Sequence, residues 1–504
     1  MQKKIIILCT VILIVVMEAL FALIGALMPG PFTGTVTDAE TNEPIANVSV
    51  SDGRNVVKTD ENGAYTLPGY SKSRFVTVTT PAGYWTENYY IPVTKDRETY
   101  DFRLDKSEKT AQADHSFLQI SDSEIGAKGV GAWIEHVRDT VKETDPAFLI
   151  HTGDICYEDG LKQHIKDMNT ENMGVPVRYV IGNHDYVAGK YGEALFESIY
   201  GPVWYSFDVG NVHYVVTPFQ TGADYASGYN KNDRWKWLEN DLANVEPGMK
   251  VVMFNHTKAP SDDYVLSYGL KKLDLKEHDL IAWVYGHYHY NYITETDGVL
   301  NISTGRPDCG GIDSSASGSR LISITANGQV STQMYYYDFE QPQAPDGANW
   351  SAQLEGNLLF ADPLAVGNQI FAATVDDDYP RTCGVYSLNA ADGSVNWFFK
   401  TLNSVKNKLV YANGKIVAQD CEGTVYCLNA ETGALLWQKK VDLGGSLGTS
   451  SGLCADGSTV YAGCAASITA LDLETGDTRW NTRRGKGENS PAEFVIAGDC
   501  LIVS

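Results

Sequence analysis

Five times between residues 116 and 290 a short apolar run ends in a cluster of side chains that bind metal ions. Phe117-Leu118-Gln119-Ile120 leads to Asp122-Ser123-Glu124, and Ala147-Phe148-Leu149-Ile150 to Gly153-Asp154. Arg178-Tyr179-Val180-Ile181 leads to Gly182-Asn183-His184-Asp185, Val251-Val252-Met253-Phe254 to Asn255-His256, and Ile281-Ala282-Trp283-Val284-Tyr285 to Gly286-His287-Tyr288-His289. Each run has the length and character of a buried strand. In an open α/β sheet, ligands bind beyond the carboxyl ends of the strands, so this order delivers five sets of metal-binding groups to one edge. A pair of metal ions about 3.5–4 Å apart needs several carboxylate, amide and imidazole ligands and a shared carboxylate. The five clusters contain that inventory.

The order of the clusters resembles the calcineurin-like metallophosphoesterases, whose pattern is D-x-H, GD, GNH[DE], H, GHxH. The likeness extends to Tyr205–His213 and to Trp237–Leu242. The resemblance implies that Asp122 and His289 hold a first divalent metal, that Asp154 bridges, and that Asn183, His256 and His287 hold a second. It also implies that His184, backed by Asp185, faces the leaving group while a hydroxide between the metals attacks phosphorus. The sequence departs from the pattern at Glu124, which stands where a histidine is usual. Glu124 either ligates, giving an oxygen-rich first site that leans to Mn, Fe or Mg over Zn, or hydrogen-bonds a metal-bound water.

A chain of 504 residues exceeds what one core organises, so several domains are expected. A net charge of −24 without a Lys/Arg-rich stripe excludes a protein that coats nucleic acid. Nine cysteines, none in a C-x-x-C, are too sparse for a disulfide scaffold. Lys3-Lys4 followed by the apolar run from Ile5 to Met28 reads as an export signal in residues 1–30. It is long enough to be kept as a membrane anchor, with Ala22 and Ala26 leaving cleavage open.

The expected fold is multidomain: an all-β sandwich, an α/β metallophosphoesterase sandwich, then an incomplete all-β propeller. Residues 31–104 alternate like β-strands, with a hairpin expected at Asn62-Gly63. They resemble carboxypeptidase-regulatory-like domains, which implies a spacer between membrane and enzyme, and polar residues 105–114 read as a linker. In the catalytic region, 115–340, Val130, Trp133, Ile134, Val137 and Val141 fall at helical spacing, as do Trp235, Leu238 and Leu242. All ten histidines lie between His115 and His289. Of those outside the motifs, His115, His136, His164 and His278 are expected in solvent, while His151 and His213 flank the site strands and read as buried and hydrogen-bonded, with support of the metal ligands as the alternative. Cys156 reads as a small buried hydrophobe, with a redox-sensitive thiol as the alternative. Residues 304–343 resemble a small β region appended to the catalytic domain. In it, Arg306 reads either as a contact to substrate phosphate or as half of a surface salt bridge.

After the proline-marked boundary at Gln341–Pro345 the chain repeats at a period near 40, as in Ala430-Glu431-Thr432-Gly433 to Trp437. That period reads as propeller blades over 345–504, resembling the pyrroloquinoline-quinone type of repeat, with the tryptophans and glycines docking one blade on the next. The last unit has barely begun at Ser504, so further blades are expected beyond it. The leading expectation is an exported dinuclear phosphoesterase acting on a phosphomonoester or phosphodiester, with a cell-surface partner on the propeller. The alternatives are an extracellular binding scaffold with a degenerate site and a quinone-dependent dehydrogenase.

Overall fold

The computed structural model describes residues 30–504 except 125–129, 219–222, 224, 308–314, 338–342, 359–360, 445–447, 449–450 and 484–491. The expected anchor in residues 1–30 therefore lies almost wholly outside the described residues. No helix among those described is long and apolar enough to cross a membrane.

The first region is a sandwich of two four-stranded sheets. One has the order Ala64–Leu67, Phe32–Asp38, Phe102–Lys106, Tyr84–Trp85, and the other Val56–Lys58, Ser49–Ser51, Phe75–Val78, Tyr90–Pro92. The turn at Asn62-Gly63 forms, with Gly63 at φ +69°, but the expected hairpin does not. Val56–Lys58 pairs with Ser49–Ser51 while Ala64–Leu67 pairs with Phe32–Asp38, so the turn is a corner between sheets. The Asp60 carboxylate accepts the N–H groups of Asn62 and Ala64, each at 2.9 Å, and fixes the corner without fixing a partner strand. The polar stretch 105–114 completes the last strand and then forms the short helix Glu108–Ala111.

This sandwich is built into the catalytic region, not held apart from it as a spacer would be. Its core is continuous with that region through Tyr89, Tyr205 and Phe207. The buried Arg178 places its guanidinium 3.8 Å from the Trp85 ring and 4.2 Å from that of Tyr89. Arg74 reaches Glu197 at 2.7 Å and Glu193 at 3.2 Å.

The catalytic region packs two sheets face to face. One runs Val177–Tyr179, Phe148–His151, His115–Ile120, Gly318–Ile324, Val330–Tyr336, its first three strands parallel. The other runs Tyr205–Val209, Val212–Val216, Lys250–Phe254, Leu280–Tyr285, Val299–Ser303, Tyr292–Thr296, its four central strands parallel. Residues 318–336, within the stretch 304–343 expected as a small appended β region, are a hairpin added antiparallel to the first sheet. Between the sheets lie Phe117, Phe148, Phe207, Tyr214 and Phe254, with ring centroids 4.9–5.6 Å apart along the chain of contacts. Each such pair adds about 0.5–1.5 kcal/mol beyond its burial. The two expected helical stripes are buried on Val130–Thr144 and Lys231–Leu242.

From residue 364 onward three four-stranded antiparallel sheets follow, Leu364–Lys400, Val410–Lys440 and Gly452–Arg483, then the pair Phe494–Ala497 and Cys500–Val503. The tryptophans dock as expected. Trp397 Nε1 donates to the Ala430 carbonyl at 3.2 Å and Trp437 Nε1 to that of Leu473 at 3.0 Å. Gly433, at φ +72°, lies so near the Trp397 ring that a Cβ would stand 2.6 Å from it. The first blades grip the catalytic region through Arg320, fully buried, which donates to the carbonyl of Asp377 and to Ser303 and Thr304. Lys406 donates to the Asn291 carbonyl at 3.4 Å, just beyond the last expected metal ligand.

Candidate metal centre

The five clusters meet at the carboxyl ends of strands from both sheets: three follow strands of the first sheet, two follow strands of the second. Tight backbone joins them. Asp122 N–H donates to the Gly153 carbonyl at 2.9 Å, and Gly286 N–H to that of His256 at 3.1 Å. A Cβ on Gly182 would stand 2.2 Å from Asp154 Oδ1, and one on Gly286 2.5 Å from Asp122 Oδ2, so only glycine lets these loops close on the carboxylates. Asp122, Asp154, His287 and His289 all have left-handed backbone, φ +49°, +55°, +70° and +56°. Such strain costs about 1–3 kcal/mol per residue and gathers at functional sites.

The side chains form two overlapping groups. One carboxylate oxygen or imidazole nitrogen from each of Asp154, His256 and His287 lies within 4.8 Å of the others, and the same holds for Asp122, Asp154 and His289. Asp154 belongs to both. His256 donates Nδ1–H to the Thr152 carbonyl at 2.8 Å, which turns Nε2 to Asp154 Oδ2 at 3.0 Å. Orientation of a ligating imidazole by a backbone carbonyl is the usual arrangement around a bound metal. His289 Nε2 stands 3.4 Å from Asp122 Oδ1, and His287 Nδ1 3.2 Å from His256 Nε2. Asn183 Oδ1 is buried with no hydrogen-bond partner. A buried amide oxygen left without a donor, one residue before the His184 N–H that meets Asp154, fits hard or borderline divalent cations together with the two carboxylates and three imidazoles.

The electrostatics point the same way. Burial opposes charge on His256, yet the carboxylates of Asp154 and Asp122 prevail and raise it to about 9. Burial would likewise raise Asp154, but His256 and the His184 N–H hold it well below the usual carboxylate range. His287 is pushed down to about 4 by burial and by the charge on His256. The cluster draws positive charge to Asp154.

Two of the expected site residues have partners within the chain. Glu124, expected at the first metal or its water, turns its Oε2 to Arg306 Nη2 at 2.9 Å, and the group around Asp122 forms without it. Arg306 is correspondingly half of an ion pair. Asp185, expected to back His184, accepts backbone N–H groups from Gly182 at 2.8 Å, Asp154 at 3.0 Å and Cys156 at 2.9 Å. It holds the two loops that carry Asp154 and Asn183. His184 instead has its N–H on Asp154 Oδ1 at 2.9 Å and its Nδ1 3.3 Å from the Tyr157 hydroxyl.

Other residues take parts that the motifs do not name. His151, fully buried, accepts Gly153 N–H at Nδ1 and donates from Nε2 to Ser123 at 2.8 Å, bracing the first two loops. His164, expected in solvent, is fully buried with Nδ1 3.1 Å from the Tyr200 hydroxyl, and burial pushes it down to about 3. His213, away from the cluster, lies between Asp208 at 2.7 Å and Asp241 at 2.9 Å. Cys156 is buried, and burial with the nearby carboxylates pushes its thiol up.

Residues 115–291 match the family model described as calcineurin-like phosphoesterase, and residues 30–107 the one described as the N terminal of calcineurin-like phosphoesterase. Residues 343–503 match the one described as outer membrane protein assembly factor BamB. Tetrathionate hydrolase of Acidithiobacillus ferrooxidans is 25% identical over 182 residues, covering 31% of this chain and 35% of that protein. BamB of Yersinia pestis is 26% identical over 153 residues, covering 30% of this chain and 36% of that protein. The chain thus spans about a third of the length of these curated relatives. A dimetal phosphatase from Danio rerio aligns with a TM-score of 0.34 at 12% identity, over 44% of this chain and 95% of that one. BamB from Moraxella catarrhalis aligns with a TM-score of 0.26 at 19% identity, over 36% and 51%.

Proposed function

We propose that this chain, which carries a calcineurin-like phosphoesterase domain and a BamB-like repeat region, hydrolyses a phosphomonoester or phosphodiester with two divalent cations. The observation that carries the reading is the pair of ligand groups sharing Asp154, to which the buried, unpartnered Asn183 oxygen adds a donor from the loop that contacts Asp154 through His184. Asp122, Asp154 and His289 would hold one cation, and Asp154, Asn183, His256 and His287 the other. Bound there, the cations supply water activation and neutralise charge developing on the phosphoryl oxygens. The chain's own groups do the rest. His256 and Asp154 stay fixed by Thr152 and by the His184 N–H, so the donor set is preorganised. His184 is half-buried at the edge of the cluster, where it can give a proton to the departing oxygen.

The repeat region is proposed as a surface for a protein partner, since its blades dock on the loop that leaves His289. Lys3-Lys4 and the apolar run to Met28 support a place outside the cytoplasm. Purified chain loaded with Mn²⁺, Fe²⁺, Zn²⁺ or Mg²⁺ should hydrolyse part of a panel of phosphomonoesters, phosphodiesters and nucleotides. Metal-loaded protein inactive across the panel would leave the scaffold reading in its place.

A further inference from the structure

A cavity has its inner wall hydrogen-bonded to the loop that carries His256. It lies between helix Lys231–Leu242 and the strand Val265–Tyr268, and holds about 280 Å³. Its inner wall is Thr217, Met253 and Trp283, from the ends and middles of three parallel strands of the second sheet. Two hydrogen bonds tie that wall to residues on either side of His256. Asn255 Nδ2 donates to Thr217 Oγ1 at 2.9 Å, and Trp283 Nε1 donates to the Thr257 carbonyl at 2.8 Å.

What sets this cavity apart is an excess of donors. Lys231 and Arg234 both line it, and none of its lining residues is an aspartate or glutamate, in a chain whose net charge is −24. Arg234 is half-buried and makes no hydrogen bond or ion pair among the described residues. Trp235 lines the same space, is 6% exposed, and has its indole N–H buried without an acceptor. The two buried arginines are accommodated differently: Arg178 stacks on aromatic rings and Arg320 is spent on carbonyls and hydroxyls. Burial pushes the Arg234 guanidinium down to about 10, only partly offset by Tyr186. An unmade hydrogen bond at a buried donor such as the Trp235 indole costs about 1–3 kcal/mol, so the cavity gains from any ligand rich in acceptors.

We propose that this cavity binds an oxyanion carried on an apolar body, and that the substrate accordingly bears a second anionic group, phosphate or carboxylate, besides the scissile ester. The guanidinium fork matches either group, and Trp235, Leu238 and Met253 supply the apolar wall. The volume is below the roughly 300–1,000 Å³ of sites that enclose a whole drug-sized ligand, so it takes one end of a molecule. The statement about substrate rests on the phosphoesterase reading, whereas the statement about the cavity does not.

The first arm of the test uses the full chain in excess EDTA, so that no metal-held anion contributes. Phenylphosphonate and benzoate are titrated separately while the intrinsic tryptophan fluorescence, to which Trp235 and Trp283 at the cavity contribute, is followed. A saturable change with at least one probe is expected, weakened tenfold or more in Arg234→Gln and kept in Arg234→Lys, and the two probes tell phosphate from carboxylate. No saturable change in the wild type, or the same curve in Arg234→Gln, overturns the proposal. The second arm, with Mn²⁺ present, compares kcat/KM for an aromatic bisphosphate with that for p-nitrophenyl phosphate. The ratio should fall at least tenfold in Arg234→Gln, and an unchanged ratio overturns the statement about substrate. Probe binding as expected with no hydrolysis of either ester would support the cavity and count against the phosphoesterase reading.

Discussion

Asp185 separates two accounts of the same motif. If it worked through His184, its loss would leave the metals in place and slow only proton transfer. The structure has it holding backbone. Its two oxygens accept three N–H groups, from Gly182, Asp154 and Cys156, and its side chain is fully buried. A hydrogen bond to a charged group is worth about 1.5–3 kcal/mol net, so removing all three in Asp185→Ala costs on the order of 5 kcal/mol. That is a large part of the about 5–15 kcal/mol that holds a domain, and the alanine variant can fail to fold. Asp185→Asn is the tractable change. With its amide oxygen towards Gly182 and Asp154 it keeps two bonds and loses the one from Cys156, at about 1.5–3 kcal/mol. Because those loops carry Asp154 and Asn183, metal affinity should weaken by about 10–100-fold, as when an outer partner of a ligand is lost. His184→Ala should keep near wild-type affinity while kcat falls about 10²–10⁴-fold. The assay is Mn²⁺ titration of the two single variants and the double variant, with activity at saturating metal. Additive losses are expected. Wild-type metal affinity in Asp185→Asn, with an effect on kcat that vanishes in the His184→Ala background, would refute the reasoning.

Glu124→Ala should leave two metals bound per chain, because Glu124 is engaged by Arg306, and loss of one metal would return Glu124 to the ligands. Gly433→Ala should destabilise the repeat region by about 2–4 kcal/mol, from a left-handed φ and a Cβ 2.6 Å from the Trp397 ring; a shift under about 0.5 kcal/mol in denaturant unfolding would contradict the docking. Stability should also fall on both sides of neutrality. His213 is raised to about 10, burial opposing but Asp241 and Asp208 prevailing, so its contribution is complete below the unfolded value near 6.5 and lost as pH rises through 10. His164 is pushed down to about 3 by burial, so stability drains as pH falls from about 6.5 towards 3. Thermal unfolding between pH 4 and 10 should show both limbs, and His213→Asn should flatten the alkaline one; an unaltered alkaline limb would remove His213 as its cause.

The strands that build the centre were legible because apolar runs and polar clusters coincide there, and because helical stripes such as Val130 to Val141 have a single face to bury. The docking tryptophans were legible from their period. Long-range pairing was not. Nothing near Glu124 announces Arg306, 182 residues away, as its partner. Asn62-Gly63 dictates a turn but not which strands pair beyond it. Two placements had local signals. Asp185 stands three residues after Gly182, the spacing at which a carboxylate reaches back to backbone N–H groups at a helical start. His164 continues the buried stripe of Gly160 and Leu161 on helix Tyr157–Asp167.

Sharing of Asp154 between two cations would show in the electron paramagnetic resonance of the Mn²⁺-titrated chain. Two Mn²⁺ per chain with an exchange-coupled signal are expected, and in Asp154→Asn a loss of both the coupling and at least one equivalent. A single uncoupled Mn²⁺ per chain in the wild type, or coupling that survives in Asp154→Asn, would contradict it.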